Sequence, residues 1–323
     1  MFIDDVMWWI RDDETERWLV ESYKTRYKAT FAPLSVFVGM QIKHDREHGV
    51  TRINQPEYIE RACNEIFGDD WDKKAPPSGP SCAEIDKLTG PVELSRLPKA
   101  SKQLCSRYRQ CTGKLNFLQV STRPDLAQVT GRLCRANANP SQELLDHCHN
   151  VLRYAWHTKD CYLEYKAQHS AEPLCYSDSD WCTSNATAAW CVGMCGGPVL
   201  WASKRERCVA LSSTEAELVA ASMAACEVVF LRNVLGDCGV TLEKPTTLYF
   251  DNSGAVEIAR TPLSKTKLKH ILRRYFYVRE VSESGEVLVV PVNTVDNISD
   301  VMTKHLSPQR FKHLVARLMK NLR

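Results

Sequence analysis

Four carboxylates in the second half of the chain fall where a metal site would need them. Asp178 stands in Tyr-Ser-Asp-Ser-Asp-Trp, Glu217 in Ser-Ser-Thr-Glu-Ala-Glu-Leu-Val-Ala, Asp251 in Leu-Tyr-Phe-Asp-Asn-Ser and Asp300 in Ile-Ser-Asp-Val-Met-Thr-Lys. Hard cations such as Mg2+ take oxygen ligands and dehydrate reluctantly, so they suit several carboxylates drawn from different elements. Two such ions about 4 Å apart can clamp an in-line phosphoryl displacement, one activating water and the other stabilising the leaving oxygen. Taken singly, each acid also has a plainer role. Asp251 could cap a short helix, and Glu217 could be a solvated first-turn acid favoured by the helix dipole. Spacing alone does not choose between these readings.

The surrounding elements follow from the apolar pattern and the turn residues. Residues 174–178 read as a short strand. Residues 188–194 and 199–203 flank Cys195, Gly196, Gly197 and Pro198, a strong turn, and form an antiparallel hairpin. Ser212, Ser213 and Thr214 offer an N-cap to a helix carrying Ala216, Ala220, Met223, Ala224 and Leu231, which stops near Gly236. Residues 246–250 are a strand, 253–259 a short helix, 267–280 a longer basic helix and 286–291 the last strand. Helical segments at 297–304 and 308–322 close the chain. A hairpin feeding a mixed sheet covered by helices fits this order, and the class is α/β. Asp178 and Asp251 each end a strand, where open α/β sheets gather their ligands.

Upstream, short apolar runs such as Ser35 to Met40 alternate with a charged helical stretch over 12–27. From Lys73 the chain turns rich in Pro, Ser and Gly and reads as an extended linker or surface loop. From Ser101 the pattern is helical. Leu115, Leu118 and Thr122 share a face, Pro124 opens a second helix, and a third runs through 144–155. The expected division is therefore 1–72, a linker at 73–100, a helical region at 101–170 and the α/β domain at 171–323.

A chain of 323 residues with 44% hydrophobic and 25% charged residues is ordinary for a globular protein and long enough for two domains. The acids of its first residues do not resemble a secretory signal, and no apolar run of the roughly 20 residues needed for a membrane span is expected. These points predict a cytoplasmic or nuclear protein with no membrane partner. The 14 cysteines form no paired Cys-x-x-Cys pattern and are expected to be reduced and mostly buried, without zinc. The net charge of +3 says little, but its distribution says more. Arg260, Lys265, Lys267, Lys269, Arg273, Arg274 and Arg279 form one acid-free block. Residues 301–323 form another. Such blocks either bind phosphate backbones or are solvated helix faces.

The phrases around the four acids, together with Ser-Lys-Arg-Glu-Arg-Cys-Val-Ala-Leu and Lys-His-Ile-Leu-Arg-Arg-Tyr-Phe-Tyr-Val-Arg-Glu, resemble the ribonuclease H domain that closes the Pol polyprotein of copia-type LTR retrotransposons. They run in the right order from residue 176 to 302. The resemblance implies a ribonuclease H-like mixed sheet with flanking helices, and metal-dependent endonucleolytic hydrolysis of RNA paired to DNA. It implies Asp178, Glu217, Asp251 and Asp300 as catalytic metal ligands. The ions would be two Mg2+, with Mn2+ as the alternative, the partner an RNA–DNA hybrid, and no small-molecule substrate is expected. The family pattern selects Glu217 over Glu215, and Ala220, Ala221, Ala224, Val228 and Leu231 continue its helical face. Asp180, two residues along the same strand, is the fallback for Asp178.

The first 170 residues resemble the end of the reverse transcriptase of the same polyprotein, an α+β remnant. Phe2-Ile3-Asp4-Asp5 looks like the Tyr-x-Asp-Asp hairpin, making Asp4 and Asp5 a remnant of the polymerase metal site. Because the chain starts at this motif, DNA synthesis is not expected. The 1–170 half is expected to order poorly, and a stable piece to begin near residue 170. In the basic helix, Leu272 and Phe276 replace an Asp and a His of the family pattern, so altered packing or substrate contact is expected there. The resemblance makes Lys265, Lys267, Lys269, His270, Arg273 and Arg274 the expected hybrid-binding surface, reading shape and phosphates more than sequence. A non-catalytic nucleic-acid-binding relic of the same polyprotein is the alternative. An integrase-like nuclease would need three acids rather than four.

Overall fold

Asp12, Ser101, Ser141, Ser212 and Ser307 each precede a helix, and the side chain of each accepts a hydrogen bond from the backbone N–H three residues on. These caps satisfy donors that a helix start leaves unpaired, so the sequence marks where five helices begin. The computed structural model describes residues 6–8, 10, 12–73, 83–181, 186–206, 210–260 and 272–322, with backbone only at 83, 258, 260 and 272–275.

The described helices are α1 Asp13–Arg26, α2 Pro56–Phe67, α3 Ala83–Leu88, α4 Pro91–Arg96, α5 Lys102–Ser121, α6 Ala127–Cys134, α7 Gln142–His157, α8 Ser213–Asp237, α9 Ser253–Arg260, α10 Leu272–Glu283 and α11 Pro308–Leu318. In the first half, β1 Val36–Phe37, β2 Met40–Asp45, β3 Val50–Asn54 and β4 Leu163–Lys166 form an antiparallel sheet in that order. Leu115, Leu118, Leu133, Leu144 and Leu152 build a helical core beside it.

The second sheet has the order β7-β6-β5-β8-β9, from β5 Leu174–Asp180, β6 Thr187–Met194, β7 Gly197–Arg205, β8 Thr246–Phe250 and β9 Val287–Pro291. The hairpin strands run antiparallel, while β5, β8 and β9 are parallel. This is the ribonuclease H-like mixed sheet with flanking helices that the sequence predicted. Strand alternation separates two faces. Cys175, Trp190, Val192, Leu248 and Phe250 meet α8, α9 and α10. Ala189 and Cys191 meet α11, α6 and a short 3-10 helix, Ile298–Met302. The β6–β7 turn places Cys195 (φ 53°) and Gly196 (φ 87°) in the left-handed region, as a two-residue hairpin requires. At Gly197 a Cβ would lie 2.7 Å from the Glu164 carbonyl, so glycine lets β4 cross the hairpin closely.

Three expectations need correction. The stretch 73–100 is not a plain linker, because α3 and α4 lie within it and Ile85 is fully buried. The dense Pro run ends at Pro80, and Gly90 and Pro91 stand at the start of α4, where a proline fits the first helical position; residues 74–82 lie outside the described ones. Second, α8 is long and apolar enough, by length and composition, to cross a membrane, although no such stretch was expected. Its apolar face packs on the sheet instead. Third, the two halves share a core. Ala127, Cys161 and Leu163 pack with Ile298, Leu314 and Leu318, and Trp201 Nε1 donates 2.6 Å to the Gln119 carbonyl. Residue 170 is no natural break.

Candidate metal centre

Parallel β5 and β8 pair in register as far as Tyr176 and Tyr249, and that register sets Asp178, within β5, beside Asp251, which directly follows β8. Helix α8 crosses this end and presents Glu217 from its second turn. The carboxylate oxygens of Asp178, Glu217 and Asp251 lie within 4.8 Å of one another. Asp178 and Glu217 are buried, and Asp251 is nearly so.

The competing assignments separate cleanly. Glu215 Oε2 accepts from Leu211 N at 2.7 Å while Ser212 caps the Glu215 N–H, so Glu215 serves the helix start. Asn252, not Asp251, caps α9, its Oδ1 accepting from Ala255 N at 3.0 Å. Asp180 Oδ2 pairs with Arg132 at 3.2 Å, away from the three-acid cluster. The structure thus gathers Asp178, Glu217 and Asp251, and leaves Glu215 and Asp180 with structural partners.

Asp300 reaches the cluster through a basic residue. It sits on the 3-10 helix with both oxygens engaged, one by Arg310 and one by Lys304 Nζ at 2.8 Å. The same ammonium lies 2.8 Å from Asp178 Oδ1 and 3.8 Å from Asp251 Oδ2. Thr303 Oγ1 donates to the other Asp178 oxygen.

Burial pushes the Asp178 carboxyl up to about 7, with Lys304 pulling against the rise and Asp300 adding to it. Burial, then the charges of Asp178 and Asp251, hold Glu217 well above the usual carboxylate range. Burial also raises Asp300, against Lys304 and Arg310. Burial works against the charge on Lys304, but Asp178 and Asp300 outweigh it and keep the ammonium protonated beyond the ordinary lysine range.

The donor set fits a hard divalent cation. All candidate ligand atoms are carboxylate oxygens. Glu217 Oε1 accepts only a long bond from Ser179 N at 3.4 Å, and its buried Oε2 has no hydrogen-bond partner among the described residues. An orphaned carboxylate oxygen costs free energy unless a cation or water meets it. The Lys304 ammonium, drawn into the same cluster, shows that the site attracts positive charge.

Sequence reading gave Lys304 and Arg310 only as members of the basic block at 301–323 and passed over Thr303, Gln128 and Arg132. Only Lys304 carried a local signal, its i+4 spacing from Asp300. Asp4, Asp5, Lys265, Lys267, Lys269 and His270 lie outside the described residues. Arg273 and Arg274 lie on α10, described there by backbone alone, and Phe276 on the same helix is exposed.

No protein-family model matches the chain. Among curated proteins, it is 30% identical over 236 residues to the retrovirus-related Pol polyprotein from transposon RE1 of Arabidopsis thaliana, covering 72% of this chain. It is 27% identical over 286 residues to that from transposon TNT 1-94 of Nicotiana tabacum, covering 87% of this chain. The matches span only 15% and 21% of those two proteins. Among solved structures, a ribonuclease H1 in complex with an RNA/DNA hybrid covers 40% of this chain and 92% of its own, at 12% identity and a TM-score of 0.33. The fold assignment rests on strand order and direction, not on that superposition.

Proposed function

This chain belongs to the retrovirus-related Pol polyproteins of copia-type transposons, and from that premise we propose that its second half is a metal-dependent ribonuclease that cuts the RNA strand of RNA–DNA hybrids. The observation that carries the proposal is the meeting of Asp178, Glu217 and Asp251 at the ends of two parallel strands, with a buried Glu217 oxygen left unbonded.

In this reading Asp178, Glu217 and Asp251 would hold Mg2+ or Mn2+, and Asp300, now bonded to Lys304, would complete the acidic wall. Bound divalent ions supply charge stabilisation for the phosphoryl transfer and an acidified water. The chain's own contribution is geometric. Strand ends and α8 fix three carboxylates before substrate arrives, so little reorganisation is needed at the moment of reaction. Thr303 keeps Asp178 turned inward. Lys265, Lys267, Lys269, His270, Arg273 and Arg274 are proposed to bind the hybrid's phosphates, giving salt-sensitive and sequence-tolerant affinity.

The test is cleavage of an end-labelled RNA–DNA hybrid by the purified chain with Mg2+. Wild type should produce RNA fragments that EDTA abolishes, and Asp251→Asn should produce none. Equal cleavage by Asp251→Asn would refute the site. Salt-sensitive hybrid binding by wild type with no cleavage would instead leave a binding relic.

A further inference from the structure

The segment that carries Asp300 and Lys304 is held from outside the sheet that carries the other acids. The 3-10 helix Ile298–Met302 is only five residues long. Its end exposes carbonyls that no intrahelical N–H can reach. Ser203 Oγ on β7 donates to the Met302 carbonyl at 2.6 Å. The next carbonyl, on Thr303, is taken by two side chains of α6: Gln128 Nε2, and Arg132 Nη2 at 3.4 Å. Arg132 is 2% exposed. Its guanidinium also reaches Asp180 Oδ2 at 3.2 Å, at the end of the strand that bears Asp178, and the Asp86 carboxylate on α3.

We propose that Gln128 and Arg132 are positioning residues for the carboxylate site, acting through Thr303; the proposal rests on the metal-site reading above. Thr303 has one backbone carbonyl anchored to α6 and one hydroxyl donating to Asp178. Lys304 follows it directly, and Asp300 lies one turn earlier. Fixing the Thr303 carbonyl therefore sets the rotation of the whole segment about Asp178. Arg132 ties the end of β5 to the same carbonyl, so the two pieces bearing Asp178 and Asp300 are held in one frame. A planar guanidinium spreads its donors over a fixed fork and so spans three acceptors set apart, whereas a lysine ammonium presents its three donors from a single point. A helix of the region preceding the α/β domain thus forms part of its active centre. Neither Gln128 nor Arg132 belongs to the three-acid cluster.

Partners that orient metal ligands from behind typically account for about 10–100-fold in metal affinity or activity. The test is Mn2+ titration of the full chain, reading free Mn2+ by electron paramagnetic resonance, with thermal melting alongside. Gln128→Met removes the bond to the Thr303 carbonyl with little change of volume. It should melt cooperatively near wild type yet bind Mn2+ about tenfold more weakly. Arg132→Met should lose more, and Arg132→Lys should fail to restore it. Unchanged Mn2+ affinity in a folded Gln128→Met overturns the proposal, whether or not Arg132→Met folds. Asp251→Asn separates this from the metal-site reading: if wild-type Mn2+ binding persists there, that reading itself fails.

Discussion

The Lys304 ammonium lies 2.8 Å from Asp178 Oδ1, in the place where a cation bound by the acidic cluster would be expected. It bridges to Asp300 at the same distance and offsets a concentration of negative charge that burial makes costly. Without an ion, this side chain is the counter-charge of the site.

Lys304→Met should therefore destabilise the protein most when metal is absent. Removing one partner of a largely buried ion pair costs about 3 kcal/mol, less where the acids can protonate. Melting in EDTA at pH 8 should drop by several degrees, and Mg2+ should recover more stability than it gives wild type. An EDTA melting temperature equal to wild type would contradict the role.

Glu215 and Glu217, two residues apart, should respond in opposite ways. Glu217→Gln removes a carboxyl whose ionisation is disfavoured by burial and by Asp178 and Asp251, so the metal-free protein should become more stable while Mg2+ loses its stabilising effect. Glu215→Ala should cost about 1 kcal/mol through the lost cap and leave the Mg2+ effect intact. Thermal melts with and without Mg2+ decide both.

Asp178 gives a pH dependence with a definite sign. Its value of about 7 in the fold stands above the roughly 3.9 of an unfolded aspartate. A raised folded value contributes stability that is fully present below the unfolded value and lost as pH rises through about 7. Metal-free wild type should lose stability between pH 5 and 8 relative to Asp178→Asn. Because an ion must displace the proton, Mg2+ affinity should rise toward pH 8, by up to about tenfold per unit below 7. A flat difference between the two proteins across this range would exclude the assignment.

Limited trypsin digestion should not yield 171–323 as the minimal resistant piece. Leu163 and Ala127 share a core with Leu314 and Leu318, and Tyr162 pairs with Lys320 through backbone hydrogen bonds. Mass spectrometry should find a resistant fragment that begins well before residue 170. A stable fragment starting at 171 would show that the shared core is dispensable.

Arg273→Ala with Arg274→Ala should weaken hybrid binding uniformly across sequences and flatten its salt dependence by about one unit of slope for each phosphate no longer neutralised. Fluorescence anisotropy at several salt concentrations measures both. Weakening confined to one sequence would point to base recognition instead.

Much of the architecture was legible because its signals are local. Ser212 before a helix, the apolar run through β6 and the turn at Cys195 and Gly196 act over a few residues, and each formed the element it predicted. The acids at strand ends were legible for the same reason. The helices in 83–96 were missed because a Pro and Gly signal just upstream masked weak apolar spacing. By itself, then, the sequence determined the elements of the α/β half, their order and the end of the sheet where acids gather. Tertiary structure decided that Glu215 caps while Glu217 joins the cluster, that Asp180 turns to Arg132, and that Lys304 stands among the carboxylates. Gln128 and Thr303 lie 175 residues apart, and Lys304 and Asp178 126. No periodicity reaches across such distances; packing of α6 and the 3-10 helix against one sheet brings these side chains together.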